Sequence, residues 1–98
     1  MRMEFQIILT ETARGICDDL AKTDPNKLKR VYKTLGLLQT NPKHPSLQTH
    51  EFRSLKGPNG EKIFEVYVEN KTPSAFRVFW YYGPDRKTIT VIAVTSHP

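Results

Sequence analysis

Cysteine is nearly absent: the 98 residues carry one, Cys17. A lone thiol excludes an internal disulfide framework and a thiolate zinc site, and it fits a reducing compartment. Cys17 falls at helical spacing with Ala13, Ile16, Leu20 and Ala21, which marks it as a small core residue rather than a nucleophile. Long apolar runs are also missing. No stretch approaches the roughly 18 apolar residues of a membrane span. The opening MRMEFQIILTE has a short apolar run broken by acids and makes a poor signal peptide. The expectation is a soluble, cytoplasmic protein with no membrane partner. There is no Walker loop, zinc-finger spacing or dinucleotide fingerprint, so no cofactor and no metal are implied. Repeats, low-complexity stretches and linkers are absent too, and 1–98 has the size of one domain.

Acids are scarce in one segment. From Asn26 to Pro58 seven cations (Lys27, Lys29, Arg30, Lys33, Lys43, Arg53, Lys56) accompany a single anion, Glu51, a local +6 in a chain of net +5. Such a segment suits a polyanionic partner, nucleic acid or an acidic protein; a solvated helix face has the same composition.

What is present reads as alternating apolar runs and turn signals. Met3 to Leu9 is compatible with a buried strand. Thr10 can cap a helix over about Glu11 to Lys22, with Glu11 well placed for the helix dipole. Asp24-Pro25 starts a second helix, whose stripe is Leu28, Val31, Tyr32, Leu35 and Leu38 and which Thr40-Asn41-Pro42 ends. The short connection makes the two helices a hairpin. After a loop (KHPSLQTH), Glu51–Lys56 reads as a short strand, and Gly57-Pro58-Asn59-Gly60 as a turn. Ile63–Glu69 alternates, with Phe64, Val66 and Val68 on one side and Ile63, Glu65 and Tyr67 on the other. Asn70–Ser74 reads as a turn, Ala75–Tyr82 as a strand, Gly83-Pro84-Asp85 as a turn and Thr88–Ser96 as the last strand. The fold class is α+β: an N-terminal strand, a helical hairpin, then an antiparallel sheet of three or four strands. The hairpin should cover one face and leave the other partly open.

If the Asn70–Ser74 turn centres near residues 71–72, Glu65 and Arg77 fall close to opposite each other on one face, with Tyr67 beside them. An even register in the next hairpin adds His97 to that face; a slip or bulge would undo either placement. The open face would then carry Glu65, Tyr67, Arg77, Phe79, Tyr81 and His97, with Arg53 and Lys56 approaching from the neighbouring strand. That set suits RNA cleavage. A base takes the ribose 2′-hydroxyl proton, the oxygen attacks phosphorus, cations stabilise the phosphorane and an acid protonates the leaving 5′-oxygen. Arg77 can donate to two phosphate oxygens, His97 can be acid or base, and Glu51 or Glu65 can be the base. Tyr67 and Tyr81 can stack on unpaired bases, and Lys29 and Lys33 of the basic helix add backbone contacts. Other readings stay open: Arg77 paired with Glu65 across the strands, Trp80, Tyr81 and Tyr82 as core or as a surface facing a protein partner, and His97 without a role. His44, His50 and His97 make a poor metal set, because two of them sit in a loop without helical pairing.

In the order of its motifs (FQIILTETA, a basic second helix, SLKG, IFEVYV, AFRVFWYYG, TITVIAVTSHP) the chain resembles the RelE/ParE superfamily of type II toxin–antitoxin toxins over nearly its whole length. The resemblance implies a compact microbial-RNase-like fold and an antitoxin partner. It implies either cleavage of mRNA on the ribosome, with growth arrest, or poisoning of DNA gyrase. It assigns Arg77 to the scissile phosphate, His97 to the general acid and Lys56 to the substrate backbone. The chain departs from the pattern in three places. Glu65 and Tyr67 stand where RelE has two lysines. Arg53 stands where histidine-bearing members have a base glutamate, with Glu51 two residues further back. No C-terminal helix follows. A catalytically inactive RNA- or protein-binding member is the remaining reading.

Overall fold

The computed structural model describes residues 4–69 and 75–96. Strand β1 (Gln6–Leu9) leads into helix α1 (Glu11–Thr23) and helix α2 (Pro25–Thr40). A 3-10 turn (Pro45–Leu47) precedes strands β2 (His50–Lys56), β3 (Lys62–Tyr67), β4 (Arg77–Tyr82) and β5 (Thr88–Thr95).

Local chemistry sets the helix boundaries. The Thr10 hydroxyl accepts from the Ala13 backbone N–H at 3.3 Å, satisfying one of the donors that a helix start leaves unpaired, and donates to the Ile92 carbonyl at 3.3 Å. Asp24 serves both helices. Its backbone N–H closes α1 on the Leu20 carbonyl, and its carboxylate accepts from the Lys27 N–H at 3.1 Å to open α2, with Pro25 at the first turn.

The strands form one sheet in the order β1-β5-β4-β3-β2. Strands β2 to β5 are an antiparallel meander, as the short turns require, but β1 lies parallel to β5. The sheet is therefore five-stranded and mixed. Turn signals report only neighbours in sequence, and the β1–β5 pairing joins the two ends of the chain.

The helical hairpin covers one face. Ala13, Cys17 and Leu20 of α1 and Val31, Leu35 and Leu38 of α2 close on Val66, Val78, Trp80, Ile89, Val91 and Val94. Strict alternation explains β3 and β4, but not β5, where Val91 and Val94 differ in parity and share the face. The register shows why: Phe79 pairs with Ala93 and Trp80 with Val91, so Ile92 is an extra residue and the phase reverses across the bulge. The opposite face carries a smaller cluster of Ile63, Phe79 and Tyr81, with Phe52, Ile92 and Ala93 packed against it. Burial and the neighbouring Asp18 push the Cys17 thiol up, against a smaller opposing effect of Arg14, consistent with a core role. No described helix is long and apolar enough to cross a membrane.

Candidate functional site

The face that the helices leave uncovered holds a compact charged cluster at the junction of β2, β3 and β4. Glu65, in the middle of β3, is only 4% exposed. One of its carboxylate oxygens accepts from His50 Nε2 at 2.5 Å and from Arg77 Nη1 at 3.4 Å. The guanidinium's Nη2 donates to the Ser96 carbonyl just past β5, and its carbon lies 5.4 Å from the Phe79 ring centroid. His50 opens β2, and its ring Nδ1 is 2.8 Å from the Gln48 carbonyl. Two acceptors thus face the two ring nitrogens. The Tyr67 ring lies 6.0 Å from that of His50.

Register creates this cluster. Tyr67, not Glu65, stands directly opposite Arg77; Glu65 pairs with Phe79. The offset from Arg77 is two residues, which keeps Glu65 on the same face. A long guanidinium then reaches it diagonally. On the other side His50 pairs with Glu65. Nothing local in sequence marks His50, a loop histidine by its surroundings; only the pairing of β2 with β3 brings it to the carboxylate.

Other candidate residues lie elsewhere. Glu51 pairs with Phe64 and Lys56 with Lys62, so Glu51, Arg53 and Lys56 occupy the helix side of the edge strand. There the Glu51 carboxylate holds Arg53 at 3.7 Å and Lys56 at 3.9 Å. They do not converge on Arg77, because side chains one residue out of phase point through opposite faces. Tyr81 shares the face of Arg77 but is only 9% exposed, packed with Ile63 and Phe79, and offers no stacking surface. Lys29 and Lys33 are exposed on α2, across the sheet from the cluster. On the same helix Lys27 and Arg30 bind Glu69 at 3.8 and 3.2 Å, and the Lys27 ammonium sits 4.2 Å from the centre of the Phe76 ring. His97 lies outside the described residues, as does the Asn70–Ser74 turn.

The cluster can bind an oxyanion and move a proton. Arg77 and His50 supply donors, Glu65 fixes both, and His50, with a side chain 47% exposed, is the most exposed of the three.

No protein-family model matches the chain, and no curated protein matches it by sequence. Its fold is that of RelE- and YoeB-type toxins. The YoeB/ParE toxin from Agrobacterium tumefaciens superposes with a TM-score of 0.72 at 12% identity, over 96% of this chain and 100% of that one. A chain of the archaeal RelE–RelB complex from Pyrococcus horikoshii superposes at 0.66 with 13% identity, over 95% and 94%. A chain of the heterotetrameric YoeB–YefM toxin–antitoxin complex from Staphylococcus aureus superposes at 0.66 with 13% identity, over 96% and 98%.

Proposed function

We propose that this chain is the toxin of a type II toxin–antitoxin pair, a RelE/ParE-superfamily member that cleaves mRNA by 2′-hydroxyl attack. The observation that carries this reading is the Glu65–His50–Arg77 cluster on the uncovered face, a carboxylate, an imidazole and a guanidinium joined by hydrogen bonds. Arg77 receives the scissile phosphate and stabilises the charge that develops on its oxygens. The His50–Glu65 pair handles one proton, with Glu65 setting the ring's orientation. His97 is assigned the second proton transfer, to the leaving 5′-oxygen. Tyr67, beside His50, flanks the bases. The ribosome is the proposed setting, and a cognate antitoxin the proposed partner, as RelB and YefM are in the similar complexes.

A second reading is favoured by one observation. Both terminal nitrogens of Arg77 are engaged inside the protein, by Glu65 and the Ser96 carbonyl. A guanidinium used as a strut fits a member that acts by binding, as a DNA gyrase poison or an inactive RNA-binding protein.

The test is controlled expression of the parent and of His50→Ala, Arg77→Ala and His97→Ala, with mRNA 5′-end mapping in the same cells. Growth arrest with new cuts in translated codons, lost in the variants, supports cleavage. Arrest with intact mRNA and an induced DNA-damage response moves the assignment to gyrase. Parent protein that neither arrests growth nor cuts RNA rejects both.

A further inference from the structure

A second candidate site lies on the helix side of the sheet, where the helices stop short of β2 and β3. The chain between α2 and β2 forms a pinned overhang there. Leu47 is fully buried, the Thr49 hydroxyl donates to the Pro42 carbonyl at 2.6 Å, and the Lys43 N–H donates to the Asn41 side chain at 3.1 Å. Beneath it is a hollow of about 760 Å³ lined by Lys43, His44, Thr49, Phe64 and Tyr82, among others. That volume is in the range of small-molecule pockets.

Its aromatic wall is rigid. The Phe64 and Tyr82 rings are 5.8 Å apart at 71°, and both rest on fully buried Trp80, at 5.1 and 4.9 Å. Tyr82 is nevertheless 38% exposed, one of the few large apolar side chains left open. His44 is held in place, its Nδ1 accepting from the Ser46 N–H at 3.1 Å. Among the described residues no acid lines the hollow. Glu51, opposite Phe64 on the adjacent strand, is engaged by Arg53 and Lys56, which extend the positive charge outward along β2.

We propose that this hollow is a subsite for single-stranded RNA, separate from the charged cluster across the sheet. A base stacks on Tyr82 and Phe64, Lys43 holds its phosphate, and Arg53 and Lys56 carry the flanking backbone. Aromatic platforms beside cations are how unpaired strands are bound without sequence readout. Exposed cations alone would bind any polyanion. The rigid aromatic wall selects a ligand with flat faces, and the absence of lining acids admits one with a phosphate backbone. The choice of RNA rests on the proposed function.

The experiment is fluorescence anisotropy of a labelled oligouridine 12-mer, titrated with the parent and with Tyr82→Leu, Tyr82→Phe, Lys43→Glu, Lys22→Glu and Arg77→Met. Lys22, exposed in the last turn of α1, controls for net charge. The expected result is about tenfold weaker binding for Tyr82→Leu and Lys43→Glu, which corresponds to losing one stacking or phosphate contact. Tyr82→Phe should bind like the parent. Equal loss in Lys43→Glu and Lys22→Glu, or undiminished binding by Tyr82→Leu, overturns the subsite. So does binding of an acidic aromatic peptide in place of RNA. Loss confined to Arg77→Met places RNA on the cluster face, sinking the subsite while leaving the cleavage reading intact. A parent that does not bind RNA overturns the subsite alone, since cleavage is judged by the mapping in cells.

Discussion

Replacing Arg77 by Met removes the guanidinium while keeping most of the stem. Glu65, its side chain 5% exposed, then loses the charge 3.4 Å away and keeps His50 at 2.5 Å. A unit pair at that separation attracts by about 5 kcal/mol at an effective dielectric of 20, and removing one partner of a buried pair costs roughly 3–5 kcal/mol. Three features lower the expectation here. His50 remains, Arg77 is itself 18% exposed, and 3.4 Å is long for a charge-assisted bond. The Ser96 carbonyl and the Phe79 ring lose a partner as well, each a smaller effect. The net prediction is about 2 kcal/mol of lost stability, or roughly 8–16 °C in Tm for a domain of this size. Urea unfolding at pH 7 of Arg77→Met, Glu65→Gln and the double variant measures it. The double variant should be more stable than Arg77→Met, because it no longer buries a poorly compensated carboxylate, with a coupling of about 1–2 kcal/mol. A loss below about 0.5 kcal/mol in Arg77→Met, or strict additivity, refutes the buried network.

Other predictions follow from the packing and the turns. Phe79→Ala, which empties a wholly buried site against Phe52, Ile63 and Tyr81, should cost about 3–5 kcal/mol by chemical unfolding; a loss under about 1 kcal/mol would show that this face is not a packed core. Iodoacetamide should label Cys17 far more slowly in the native protein than in urea, because burial and Asp18 push its thiol up; equal rates would contradict that placement. The Lys87 N–H and then the Thr88 hydroxyl hold the Asp85 carboxyl below its ordinary value. A depressed carboxyl stabilises the fold above its unfolded value of about 3.9 and loses that contribution as pH falls through the folded value. Asp85→Asn should therefore lower Tm at pH 7, by an amount that shrinks below pH 4; a pH-independent difference would rule out this linkage.

The elements themselves were legible in the chain. Thr10, Asp24-Pro25 and Asn41-Pro42 bound the helices, and period-two alternation sorts Phe64, Val66, Val78 and Trp80 from Ile63, Glu65, Arg77 and Phe79. These features depend on caps, turns and side-chain phase within a few residues, so local sequence carries them. Site composition was legible only as far as Glu65, Tyr67 and Arg77 sharing a face. Which groups touch was decided by register. The bulge at Ile92, the Tyr67–Arg77 pairing and the alignment of β2 that sets His50 on Glu65 while turning Glu51, Arg53 and Lys56 to the other side all come from packing between strands. The parallel docking of β1 on β5 is of the same kind. A one-residue difference in register reverses a side chain's face at little local cost, so burial of the whole apolar surface, not any short stretch of sequence, selects among the alternatives.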